Sequence, residues 1–348
     1  MKRTFGVGIV GTGSIADMHA DAANSLDDTR LVACYNHHLE KGEAFARRYG
    51  IKCHRSLEAF MADPEIDIVA VTTPSKSHLE PCLAAIDHGK ALLVEKPLEA
   101  TTERCDRIIA AAKAKGTVLA GIFQSRFFDS SRLVREAIDS GRFGRLVLLD
   151  AQFKWYRSQE YYDSVPWRGD MEVGGGGVLM NQGIHAIDLM LWYGGPVESL
   201  AANCATLGHS GITVEDTASA TLRFKSGALG VIQGTVATWP GFAKRVVICG
   251  TKGSAILEDE AIKAWSFQDE RPEDDQIRRR YATSSSEGGS ANPLAIAAGG
   301  HMANLQDLVD CLKDPGHRLL IDGEEARKAV AVVEACYRSS RTGSFVRL

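Results

Sequence analysis

No apolar run in this sequence approaches the roughly 20 residues that a membrane-spanning helix needs. An excess of charge of one sign is missing too. Forty Lys and Arg stand against 44 Asp and Glu, for a formal net charge of −4. Neither nucleic acid nor a membrane surface is therefore an expected partner. Cys34, Cys53, Cys82, Cys105, Cys204, Cys249, Cys311 and Cys336 include no C-x-x-C pair and no metal-finger spacing. They are expected to be reduced thiols without a catalytic role, and no metal site is expected. Cys34 and Cys249 lie in apolar, strand-like runs and read as small buried hydrophobes. No signal peptide or twin-arginine leader precedes the first strand, so the expected location is the cytoplasm. No internal repeat or low-complexity tract is visible.

A chain of 348 residues is long enough for two domains with separate cores. The first third alternates short apolar runs (5–10, 31–35, 68–72, 91–94, 118–122) with amphipathic stretches (41–49, 57–61, 79–88, 102–115). That alternation predicts an α/β domain over 1–124, with a doubly wound parallel sheet and a ligand crevice at the carboxyl ends of its strands. Beyond Arg145 the runs 146–156, 197–206, 217–224, 229–238, 245–249 and 254–257 read as strands. Lys225-Ser226-Gly227 and Thr251-Lys252-Gly253 supply turn signals between them. Residues 125–348 are therefore expected to form an α+β domain with a mostly antiparallel, open sheet, its last helix free to pack back on the first domain. The open face is a plausible surface for a homodimer or homotetramer. A helix over 183–193 carries His185 and Asp188, and further helices are expected over 302–312 and 323–339. The stretch 271–300, rich in charge, Ser and Gly, reads as a long loop, mobile or reaching a neighbouring subunit.

The chemistry-bearing residues fall into a few clusters. Gly11-Thr12-Gly13-Ser14-Ile15-Ala16 follows the first strand with the spacing G-x-G-x-x-A. Gly11 permits the sharp turn, Gly13 lets backbone approach a pyrophosphate, and Ala16 lets helix pack on strand. A helix from about Ser14 would aim its amides at the phosphates. After the second strand stand Asn36-His37-His38, where an acid would select NAD by repelling a 2′-phosphate. Neutral Asn36, with His37 and Lys41 close by, leans the cofactor toward NADP. Thr73-Pro74 and His78 follow the strand 68–72 and border the cofactor cleft; His78 reads equally as a helix-start residue. Glu95-Lys96-Pro97 ends the strand 91–94, where a lysine is costly unless used or paired. Glu95 holds it or contacts the cofactor. Four glycines, Gly174 to Gly177, lead to Asn181 and His185, four residues apart and on one face if the helix includes both. His185 and Asp188 could share a metal in principle, but no further ligand cluster is apparent. Gln124, Tyr156, Trp167 and Arg168 are expected on the substrate side, with Trp155 and Tyr161 near them. Aromatic faces suit sugar C–H surfaces, and Arg168 suits hydroxyls, a carboxylate or a phosphate.

These motifs, in this order, resemble the glucose–fructose oxidoreductase, inositol dehydrogenase and rhizopine-catabolism (Gfo/Idh/MocA) family over essentially the whole chain. Glu95-Lys96-Pro97 matches the family's E-K-P motif, Thr73-Pro74 with His78 its T-P-x-x-x-H segment, and 175–185 its G-G-G-x-x-x-D-x-G-x-H segment. The resemblance implies NAD(P)-dependent oxidation or reduction of a sugar, cyclitol or related polyol. Lys96 and His185 would be the proton-handling pair. Asn181 stands where the family usually has Asp, so it could orient a hydroxyl or the histidine but not exchange a proton. The expected mechanism has His185 accept the hydroxyl proton while Lys96 stabilises the oxygen, with the reverse assignment also open. It needs the two halves of the chain to close over one nicotinamide. Two other readings compete: an NAD-dependent glycoside hydrolase of the same family, and a non-catalytic NAD(P)-binding sensor.

Overall fold

The computed structural model describes residues 3–283 and 298–348. The chain separates into two compact units, Met1–Gln124 with Ala298–Arg327, and Ser125–Ala297 with Lys328–Leu348.

The first unit is built on six strands: β1 Phe5–Val10, β2 Thr29–Tyr35, β3 Lys52–His54, β4 Ile68–Val71, β5 Ala91–Val94 and β6 Leu119–Gly121. Their order is β3-β2-β1-β4-β5-β6, and every neighbouring pair is parallel. β1, β4 and β5 are buried along their whole length. A parallel sheet covered on both faces needs such unbroken apolar strands, because neither side of the pleat meets water. The order reverses at β1, which lies between β2 and β4, so a ligand crevice is expected beyond the carboxyl ends of these strands. The helix Ala16–Ser25 packs on the helix Ala298–Lys313, whose Leu305, Leu308 and Val309 join the same core. The first helix starts at Ala16, two residues later than expected, because Ser14 belongs to the turn.

The second unit carries eight strands: β7 Leu146–Lys154, β8 Val197–Ala205, β9 Thr217–Phe224, β10 Leu229–Thr235, β11 Arg245–Gly250, β12 Gly253–Glu258, β13 Ala261–Phe267 and β14 Val346–Arg347. Their order is β13-β12-β11-β7-β10-β9-β8-β14, antiparallel throughout except for the β7–β10 pair. Burial alternates strictly along β9, as one covered face requires. The covered face packs on the helix Ile184–Gly194 through β7 and β11, while Val147, Leu148 and Leu229 are exposed. Among the described residues, no helix is long and apolar enough to cross a membrane.

The stretch expected as a loop over 271–300 is partly helical. A helix spans Pro272–Arg280, residues 284–297 lie outside the described residues, and the next helix begins at Ala298. Pro272 opens the helix, Glu273, Asp274 and Asp275 sit in its first turn, and Arg278, Arg279 and Arg280 in its last. Proline at the start and charges matched to the dipole explain a helix with too little apolar periodicity to read. Asp274 is its buried anchor. Its carboxylate accepts from Arg142 at 2.9 and 2.6 Å, from Trp265 Nε1 at 2.7 Å and from the Arg271 amide at 2.7 Å. Burial alone would raise the carboxyl, but these donors outweigh it and hold it at about 2.

Because the folded value lies below the unfolded one, this group's stabilisation is complete above about pH 4 and is lost as the pH falls through about 2, with a size of about 2 kcal/mol. Urea unfolding of Asp274→Asn should show a deficit against wild type at neutral pH. The deficit should shrink on acidification. A deficit that does not change with pH would show that the carboxylate charge is not its source.

Candidate active site

In the first unit, the turn after β1 has the features a pyrophosphate needs. Gly11 sits at φ +93°, and a Cβ there would lie 2.9 Å from Thr72 C and Thr73 N, so only glycine fits. Among the described residues, a Cβ at Gly13 would meet no atom within 4 Å. Protein packing therefore does not explain that glycine, and the space above it is open to a ligand. No side chain caps the helix that starts at Ala16, a residue that is itself fully buried. Uncapped amides beside an open glycine suit a bound dinucleotide phosphate.

Asn36 is tied into this turn. Its Nδ2 donates to Thr12 Oγ1 at 2.7 Å, and its Oδ1 accepts from the His38 amide at 2.8 Å. His37 and His38 are exposed and stack edge to face at 5.5 Å. Thr73 Oγ1 donates to Ser77 O at 3.0 Å. His78 is buried, with Nε2 2.9 Å from Thr73 O and Nδ1 3.3 Å from Leu98 O. It holds the loop together, which favours the structural side of its two readings.

Glu95 and Lys96 follow β5. Glu95 Oε2 accepts the Lys96 amide at 3.0 Å, and Oε1 lies 2.9 Å from His19 Nε2 and 3.3 Å from His301 Nε2. Burial would push the Glu95 carboxyl up, but the two imidazole hydrogen bonds win and hold it well below the usual carboxylate range. Burial lowers His19 despite the opposing pull of Glu95, so the imidazole is neutral beside an ionised carboxylate. Burial likewise lowers the Lys96 amine, with Glu95 working against it. A lowered lysine exchanges protons more readily near neutral pH.

In the second unit, the glycine run leads into a π-helical turn over Val178–Gln182, where Gly183 N donates to Val178 O at 2.7 Å. Asn181 and His185 therefore do not share one regular α-helix, as their spacing alone would suggest; the α-helix starts at Ile184. Single π turns of this kind recur at functional sites. Throughout residues 178–191, only Asn181 and His185 escape full burial. Asp188 does not join them in a metal-like pair. Its carboxylate receives Arg126 in a buried bidentate bridge, Nε to Oδ2 at 2.9 Å and Nη2 to Oδ1 at 2.7 Å.

Glu215 anchors the start of this segment. Its oxygens accept the amides of Gly177 and Leu179 and the Tyr337 hydroxyl, each at 2.9 Å. A Cβ on Gly177 would fall 1.9 Å from Glu215 O, so the glycine is what permits this approach. Burial raises the Glu215 carboxyl in spite of these donors. On the expected substrate side, the guanidiniums of Arg168 and Arg157 lie 4.2 and 5.6 Å from the centre of the Tyr161 ring. Tyr156, Trp167 and Arg168 are half-buried, and Gln124, in the first unit, is buried. All eight cysteines are free, and burial pushes thiols such as Cys34 up to about 12, away from reactivity.

His19, His301, Glu215 and Arg157 were not legible as site residues. Their partners are distant in sequence, and no local spacing marks them. Only the tandem acids Glu215-Asp216, placed just before an alternating strand, were a signal that a carboxylate must turn inward.

Two family profiles match the chain. Residues 5–123 match an oxidoreductase family with an NAD-binding Rossmann fold, and residues 131–256 match the GFO/IDH/MocA C-terminal domain. The chain is 32% identical over 254 residues to 1,5-anhydro-D-fructose reductase of Ensifer adhaerens, spanning 72% of this chain and 74% of that protein. It is 27% identical over 355 residues to 2,7-anhydro-N-acetylneuraminate hydratase of Escherichia coli, spanning 94% and 93%. Among solved structures, the WlbA dehydrogenase from Bordetella pertussis, in complex with NADH and UDP-GlcNAcA, is similar with a TM-score of 0.89 and 32% identity, over 99% of this chain and 98% of that one.

Glu215→Ala would leave two buried amides and a phenol without their acceptor, at roughly 1–3 kcal/mol for each unsatisfied group. The variant should melt earlier, and hydrogen exchange at Gly177 and Leu179 should quicken. Wild-type melting with unchanged exchange at those two amides would remove Glu215 as the anchor.

Proposed function

The chain belongs to the Gfo/Idh/MocA family of NAD-binding oxidoreductases, and from that premise we propose that it moves hydride between NAD(P) and a secondary alcohol carbon of a sugar, cyclitol or sugar derivative. The observation that carries this reading is the segment 178–191, buried everywhere except at Asn181 and His185. A buried helix that opens only at an amide and an imidazole is arranged to present them to something.

Bound NAD(P) supplies the hydride acceptor. Gly11, Thr12, Gly13, Ser14 and Ile15 would hold its pyrophosphate, Asn36 and His37 its adenine ribose, and Thr73, Pro74 and Glu95 its nicotinamide side. His185 takes the hydroxyl proton as the carbonyl forms. The Lys96 amine hydrogen-bonds that oxygen and offsets its developing charge. Asn181, which cannot titrate, orients the hydroxyl. Arg157 and Arg168, stacked about Tyr161, favour a substrate that bears an acidic group. The uronic acid derivative bound by the Bordetella relative is one such molecule.

A second reading keeps the same residues but releases no net NADH: transient oxidation makes a neighbouring bond labile, elimination follows, and the cofactor is restored. The relative named as a hydratase favours it. Product analysis without net change in cofactor absorbance identifies this route.

Purified protein should reduce NAD or NADP with at least one member of a panel of polyols, neutral sugars and sugar acids, including UDP-GlcNAcA, read by near-ultraviolet absorbance. His185→Ala should then lower kcat by about 10²–10⁴-fold; unchanged turnover would take His185 out of the scheme. Asn36 is neutral and leaves a 2′-phosphate unrepelled. Asn36→Asp should accordingly lower kcat/KM with NADP about tenfold relative to NAD. An unaltered ratio would show that Asn36 does not read the ribose.

A further inference from the structure

His19, Glu95 and His301 form a buried polar cluster in the first unit, and the proposed hydride transfer gives no part to its two histidines. The three side chains come from the helix Ala16–Ser25, the end of β5 and the helix Ala298–Lys313, and are 2%, 5% and 2% exposed. One carboxylate oxygen, Glu95 Oε1, serves both imidazoles, at 2.9 Å from His19 Nε2 and 3.3 Å from His301 Nε2. The two rings meet edge to face, with centres 5.4 Å apart. An ionised carboxylate only accepts, so each histidine must carry its proton on Nε2. Among the described residues, His301 Nδ1 has no hydrogen-bond partner. A neutral, Nε2-protonated ring tolerates that, since a lone pair is left unmet rather than a buried N–H.

The three ligand atoms lie within 4.8 Å of one another, close enough to raise the question of a metal ion. Two features favour hydrogen bonds instead. The nitrogens already stand at hydrogen-bond distance from one shared oxygen. A metal-bound imidazole is also normally oriented by a partner on its other nitrogen, which His301 lacks among the described residues.

A buried polar trio is costly where apolar residues would pack as well. What it accomplishes lies at the other carboxylate oxygen, which accepts the Lys96 amide at 3.0 Å. We infer that His19 and His301 are positioning residues: they clamp the Glu95 carboxylate so that it fixes the main chain of Lys96 and thereby the placement of its amine. The chain of contacts runs from two helices, through Oε1 and Oε2, to the residue that carries the amine. The inference rests on the reading of Lys96 as a group that touches the reacting oxygen.

The experiment uses the full chain with His301→Phe, His301→Gln, His19→Gln and Glu95→Gln. Glutamine retains a donor near the place of Nε2, and phenylalanine keeps only the shape. Turnover on the substrate found by the panel is measured with KM and the NADH dissociation constant. Competitive acetylation, read peptide by peptide by mass spectrometry, reports the setting of Lys96 without any substrate. In His301→Phe, kcat should fall about tenfold or more while KM and NADH binding stay within about twofold. Lys96 acetylation should change at least about threefold while other lysines do not, and His301→Gln should recover most of both effects. Should His301→Phe not fold, the nearly isosteric Glu95→Gln must show the same change at Lys96. A folded His301→Phe or Glu95→Gln with wild-type kcat and wild-type Lys96 acetylation overturns the inference. So does a His301→Gln variant that behaves like His301→Phe. Stoichiometric zinc in the purified protein, lost in the histidine variants and restoring activity on return, overturns it in favour of a metal centre. If wild type turns over no sugar, the proposed reaction fails, and the acetylation arm still decides the clamp.

Discussion

A buried carboxylate that accepts backbone amides is hard to move, because displacing it strands several polar groups at once. This chain uses that constraint wherever a loop must hold one shape. Glu95 accepts the Lys96 amide, Glu215 accepts those of Gly177 and Leu179, and Asp274 accepts that of Arg271. Asp216 accepts three successive amides, from Leu207 to His209. In each case a side-chain donor, imidazole, phenol or guanidinium, binds the same carboxylate as well. Segments that carry candidate chemistry are thus fixed to the core by charge-assisted bonds rather than by apolar packing alone.

The same four carboxyls show how environment separates chemically similar groups. Burial pushes all of them toward protonation, and the outcome depends on how many strong donors oppose it. Asp274, facing a bidentate guanidinium, ends near the bottom of the carboxylate range, and Glu95 and Asp216 are also held low. Glu215, facing amides and a phenol, ends high. The direction thus depends on which donors face the carboxylate and not on burial alone.

Much of the architecture was legible because it rests on local rules. Unbroken apolar runs announced β1, β4 and β5, since a strand covered on both faces admits nothing else. Alternation announced β9, and the glycine spacing announced the turn after β1. The helix Pro272–Arg280 was missed because its stability comes from end charges and from Asp274 reaching Arg142, more than 100 residues away, and not from an apolar stripe. The π turn over Val178–Gln182 was missed for a related reason: the bond pattern that Glu215 imposes there leaves no mark in the segment's own composition.

What the sequence by itself determined was the pair of fold classes, the cofactor turn and the identity of the reactive candidates Lys96, Asn181 and His185. Each depends on residue type and short spacing. Only the tertiary structure decided their surroundings. It assigned Asp188 to Arg126, Asn36 to Thr12 and Glu95 to two histidines 76 and 206 positions away in the chain. The physical reason is that secondary structure is set by interactions within a few residues, whereas a buried charge takes whichever partner the folded chain brings within about 3 Å.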